Sequence, residues 1–144
     1  MSEKRAEELL AEKGAYITTT VGTSMWPMLR HHRDAVTVTP LRGNVKKYDV
    51  VLFRRGMQLV LHRAIAVVPD GYLIRGDHCR ESELVKEHQL LGVLSSFTRS
   101  GQSYSVNAPG YMAYSRVIVW LHPVLSLTIR ARNLLKKALQ RENR

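Results

Sequence analysis

A mainly β, α+β fold is expected from three features of this 144-residue chain. β-branched and apolar residues come in many short runs, turn residues punctuate those runs closely, and helical patterns are confined to the two ends. Together they predict a folded antiparallel sheet assembly, sandwich or partly open barrel, with a short N-terminal helix and a C-terminal helical segment. The corresponding divisions are 1–14, 15–110 and 111–144. One domain with a real core is expected at this length, and an apolar content of 44% excludes a disordered chain.

Glu3 to Lys13 sets Leu9 and Leu10 among strong helix formers, and Gly14 suits the left-handed residue that ends a helix. Tyr16 to Val21 is β-branched, and Ala35 to Thr39 alternates until Pro40. Asp49 to Phe53, Leu59 to Val68 and Tyr72 to Arg75 are further strands, the last two joined by the turn Pro69-Asp70-Gly71. Leu90 to Phe97 and Ser103 to Val106 should pair around Ser100-Gly101. Tyr111 to Gln140 reads as helix interrupted near His122-Pro123, because proline removes a backbone donor and clashes with the preceding turn. The chain contains no repeat and no low-complexity stretch.

Gly22-Thr23-Ser24-Met25-Trp26-Pro27 places a serine in a tight turn after a strand, which would leave its hydroxyl at a surface cleft. A serine hydroxyl is a poor nucleophile until a base removes its proton, and histidine has the right basicity for that task. His62 stands in the apolar strand Leu59-Val60-Leu61-His62-Arg63-Ala64-Ile65. Alternation sets it on one face with Val60, Ala64 and Ala66, small neighbours that leave room for a second group. Asp77 follows a strand through Gly76. Singly, each also fits a plainer role: a turn serine, a core histidine bonded to a carbonyl, a turn aspartate.

The order GTSMWP, DVVLFRR, LVLHRAIAV, YLIRGD and LLGVL resembles the type I signal peptidases over roughly Val21 to Leu94. The likeness is to the archaeal and endoplasmic-reticulum branch, in which histidine replaces the lysine of the bacterial enzymes. The LexA-like self-cleaving repressors share the serine box but use lysine. The resemblance implies a serine endopeptidase, with Ser24 as nucleophile, His62 as general base, Asp77 orienting His62 and Glu83 as a supporting second acid. It also implies a groove that takes a leader or signal-like peptide as an added strand, with small side chains beside the scissile bond. No cofactor is implied. The chain departs from the pattern at Gly22, where the bacterial branch has a hydroxyl, so that the Ser24 N–H or the Thr23 hydroxyl would hold the oxyanion. It departs also in having Glu83 for aspartate, in His78-Cys79 after Gly-Asp, and in lacking a spanning anchor.

The net charge of +10 predicts attraction to an anionic partner. Val117, Trp120, Leu121, Val124 and Leu125 fall near helical spacing and precede Arg130, Arg132, Lys136 and Lys137, a pattern that fits either core packing or a helix lying on an anionic membrane surface. Trp26 and Met25 are open to the same two readings. Nucleic acid is the weaker expectation, since aromatics are not interleaved with the basic residues. His31, His32, His78, Cys79 and His88 lack the paired spacing of a zinc site, and the single Cys79 excludes an intrachain disulfide. No run reaches roughly 18 apolar residues, so a cytoplasmic or peripheral membrane location is expected. The other class of function is a non-catalytic peptide-binding or membrane-surface adaptor on the same fold.

Overall fold

The computed structural model describes residues 3–142 of the chain. Met1, Ser2, Asn143 and Arg144, at the outer ends of the expected divisions, lie outside the described residues. The fold is α+β: helix α1 (Glu3–Lys13) is followed by strands β1 (Tyr16–Thr19), β2 (Ala35–Thr39), β3 (Val50–Arg55), β4 (Gln58–Val68), β5 (Gly71–Arg75), β6 (Glu83–Val85), β7 (Leu90–Arg99) and β8 (Gln102–Ser105). Helices α2 (Pro109–Trp120) and α3 (His122–Glu142) end it. The strands form one antiparallel sheet in the order β1-β2-β7-β3-β4-β5-β6, with β8 paired to β7.

Alternation explains the strands. Val36 and Val38 are buried between half-buried neighbours in β2, as are Tyr72 and Ile74 in β5. Strand β3 is buried continuously from Val50 to Phe53 because its two sides face different clusters. Val50 joins Met25, Met28, Leu29, Val36, Leu94 and Phe97; Val51 and Phe53 join Ala64, Tyr72, Ile74 and Val85. Leu52 packs with Val38 and Tyr16 under α1, which contributes Ala6 and Leu10. Gly14, with φ +67, ends α1 in the left-handed conformation expected of it.

Three elements differ from expectation. Strand β6 was not anticipated. In β4 the pairing with β5 skips Ile65, a bulge that moves Ala66 out of the alternation placing it with His62. The C-terminal segment breaks at Leu121, but the side chains that bury are Ser115, Ile118 and Ile129, whereas Val117, Trp120 and Val124 are exposed. No single helix is long and apolar enough to cross a membrane, though α2 and α3 together, bent by 62°, have the length and composition of a broken span.

Candidate functional site

Strand β1 ends at Thr19, and the loop to β2 is closed on itself. Thr20 N–H donates to the Asp34 carbonyl, His32 N–H donates to the Thr20 carbonyl, and Arg30 binds the buried Asp34 carboxylate through both its backbone N–H and its guanidinium. Arg30 holds the Asp34 carboxyl below its usual range. Met25, Met28 and Leu29 sink into the core and anchor the inner side of the loop. Gly22, with φ +87, donates its N–H to His31 Nδ1 at 2.6 Å. Ser24 is thereby left half-buried at the cleft, and its own N–H has no acceptor among the described residues. Of the two apolar neighbours, Met25 is core, while Trp26 is about half exposed and lies edge-on to His78.

Gly76 brings the distant parts together. His78 N–H donates to the Ser24 carbonyl at 2.8 Å, so the turn after β5 is tied directly to the serine loop. A Cβ on Gly76 would lie 2.6 Å from the Ser24 carbonyl oxygen, 2.7 Å from Cys79 Sγ and 3.1 Å from His62 Nε2. Only a residue without a side chain permits this convergence. Gly76→Ala should therefore push the serine turn away from the histidine and, if the site is catalytic, lower turnover about 100-fold. Gly110→Ala, where a Cβ meets nothing within 4 Å, should leave the rate unchanged in the same assay.

His62 pairs with Val51 in the β3–β4 ladder and is only 6% exposed. Its Nδ1 is buried and, among the described residues, makes no hydrogen bond; Glu83 Oε1 lies 3.8 Å from it. Burial, reinforced by the Arg55 charge, pulls the imidazole down to about 4, against the weaker upward pull of Glu83 and Asp77. The ring is neutral at pH 7, the form a general base requires. Among the described residues His62 makes no hydrogen bond with the Ser24 hydroxyl.

Asp77 does not orient His62 as the sequence suggested. Both of its oxygens are taken by Arg63, from Nε at 2.7 Å and Nη2 at 2.8 Å, and the Tyr114 hydroxyl donates to Oδ2 at 3.0 Å. Arg63 follows His62 in β4 and so points to the opposite side of the strand, carrying Asp77 with it. The carboxylate that faces the ring is instead that of Glu83 on β6, itself bound by Arg55. Of the four expected residues, Ser24, His62 and Glu83 line one cleft and Asp77 lies behind it.

The cleft, about 690 Å³, runs between β1 with the following Thr20–Gly22 and the Gln58–His62 half of β4; Met25, Leu29, Val36 and Leu52 contribute apolar floor. Both walls present strand edges. Strand β1 ends the sheet, and β5 pairs β4 only from Arg63 onward. Edges of this kind, to which no further strand pairs among the described residues, can accept an extended peptide. Cys79 also lines the cleft, its thiol pushed up by burial, while His78 turns the other way towards Trp26 and Arg132. No group of three or more His, Cys, Asp or Glu side chains among the described residues is disposed to hold a metal ion.

The sequence pattern drew no attention to Arg63, Arg55 or Tyr114, and His31 was weighed only as a zinc ligand. The signal for Arg63 was present: a charge inside an apolar strand must be buried with a partner. Neither a family model nor a curated protein matches the chain.

Proposed function

We propose that this chain is a serine endopeptidase of the signal-peptidase type, on a fold of the signal-peptidase and LexA-like kind, cleaving a leader or signal-like peptide bound as an extra strand. The observation that supports it most is the convergence of the Ser24 turn and His62 Nε2 on Gly76, beside a cleft with two open strand edges. In this reading Ser24 Oγ attacks the scissile carbonyl as His62 takes its proton. The free Ser24 N–H donates to the oxyanion, in the absence of a side-chain hydroxyl at Gly22. The imidazolium then protonates the leaving amine, and the ring activates the water that releases the acyl group. Catalytic hydrogen bonds that are loose without substrate tighten when it binds, and the neutral ring is ready to accept the serine proton. Glu83 faces Nδ1 and supports the imidazolium; Asp77 acts through Arg63 as a positioning residue. The apolar floor favours substrates with small or apolar side chains around the cleavage point.

Peptide libraries rich in small residues, digested with wild type and with Ser24→Ala and read by mass spectrometry, test the reading. New termini with wild type alone are the expected result, and identical digests sink it.

The acidity of the ring gives a second test. A base works unprotonated, so kcat/KM should hold as pH falls through 6.5 and drop only near 4. Removing the Arg55 charge with Arg55→Gln should move that limb upward, because Arg55 disfavours the imidazolium. A rate that rises only above pH 8 would exclude His62 as the base. The same ring makes stability fall with pH between about 6.5 and about 4, since there the unfolded chain binds a proton that the folded one refuses.

The adaptor reading draws on the missing Ser24–His62 hydrogen bond. It predicts that wild type and Ser24→Ala bind the same peptides with equal affinity and that neither cleaves them.

A further inference from the structure

Helix α3 has two unlike faces. On the inner one Leu125 is half-buried and Ile129 buried, and at the start of the helix His122 Nε2 meets the Cys79 carbonyl at 2.9 Å. On the outer one Val124, Leu127, Leu134, Leu135 and Leu139 recur at helical spacing, and each is more than half exposed. From Arg130 to Arg141 every residue is exposed, so among the described residues this second half of α3 buries no side chain against the body, which it meets through Arg132 at His78. In α2, on the other side of the bend, Trp120, 78% exposed, and Val117 are exposed apolar residues as well. Arg130, Arg132, Lys136, Lys137 and Arg141 flank the stripe on both sides, with no acidic residue from His122 to Arg141 and no carboxylate partner for any of the five among the described residues.

We infer that the α2–α3 pair docks on the surface of an anionic bilayer, with the Val124–Leu139 stripe in the acyl boundary and the flanking cations at the headgroups. Charge complementarity selects this occupant. A second copy seated on the same face would bring two sets of five cations together, whereas anionic headgroups neutralise them. The same five charges, spread over both flanks of twelve residues, keep this half of α3 out of the hydrocarbon centre and at the interface. Trp120, at the bend, has the apolar body and polar N–H that favour that depth. Arg132 reaches His78 Nε2 at 3.1 Å, and His78 touches both Trp26 and, through its N–H, the Ser24 carbonyl. A docked helix would therefore hold the cleft beside the membrane. The inference does not depend on peptidase activity.

The test is co-sedimentation of the full chain with phosphatidylcholine vesicles, with and without phosphatidylglycerol. Binding is expected only to the anionic vesicles and should be released by high salt. Arg130→Gln/Arg141→Gln should weaken it about 25-fold, about fivefold per charge removed. Leu127→Ser/Leu135→Ser, which alters only exposed positions, should weaken it at least about tenfold while circular dichroism stays unchanged. Equal binding to both vesicle types, binding to neither, or retention through alkaline carbonate extraction overturns the inference. So does a dimer in sedimentation velocity that the leucine pair abolishes.

Discussion

Ser24→Ala and His62→Ala are each expected to reduce peptide cleavage by at least about 10³-fold, and the double variant to be no worse than either single one. Nucleophile and base act as a unit, so removing one already forfeits what the other contributes. The remaining rate would come from strand pairing in the cleft and from the Ser24 N–H. Stability should barely move. Ser24 Oγ makes no hydrogen bond among the described residues, and the imidazole places an unpartnered Nδ1 in the interior. Replacing a buried, unsatisfied polar ring removes a desolvation cost that offsets the lost packing. The discriminating measurement is thus a rate collapse at an unchanged urea midpoint, and a Ser24→Ala protein that still cleaves at the wild-type rate would end the peptidase reading.

Much of the sheet was legible because turn chemistry punctuates it. Pro69-Asp70-Gly71 and Ser100-Gly101 each sit between runs of β-branched and apolar residues, and the expected hairpins are present there. Strand β6 was not legible: Glu83–Val85 is three residues long and begins with a charge, too short for alternation to register. The same gap hid the position of Glu83 against the ring. The partner of Asp77 was concealed differently. The neighbour of a candidate histidine drew no notice, although the alternation that faces His62 to the cleft turns Arg63 away from it. For α2 and α3 the break was written in Pro123, but a single apolar stripe cannot say which side meets the body. Packing chose Ile118 and Ile129, and the longer stripe stayed outside.

Arg63→Met is expected to destabilise the fold by about 3–5 kcal/mol. The Arg63 side chain is fully buried and closes several contacts at once. Its fork holds both oxygens of Asp77, Nη1 donates to the Tyr48 carbonyl and the Tyr111 hydroxyl, and the guanidinium lies 5.7 Å from the centres of the Tyr111 and Tyr114 rings. Burial alone would make the guanidinium easier to deprotonate, but Asp77 more than reverses that and fixes the charge. Burial also pushes the Tyr114 hydroxyl up, with Asp77 adding to the effect, so it remains a donor to the carboxylate. Methionine fills much of the space yet leaves Asp77 charged, buried and short of two donors. Arg63→Lys should recover little, since a single ammonium cannot serve both oxygens and the Tyr48 carbonyl together. Arg63→Met/Asp77→Leu should regain most of the loss, because the cost lies in the orphaned charge and not in the absence of the pair. Urea unfolding of the four proteins decides it. A single-site Arg63→Met within 1 kcal/mol of wild type would mean that water reaches Asp77. The contacts tie β4 and the Gly76-Asp77 turn to α2, so the variant should also be cut by protease first near Asn107-Ala108, where α2 leaves the sheet. Because Asp77 adjoins the turn that bonds the Ser24 carbonyl and lies against His62 at Gly76, the same loosening should reach the cleft.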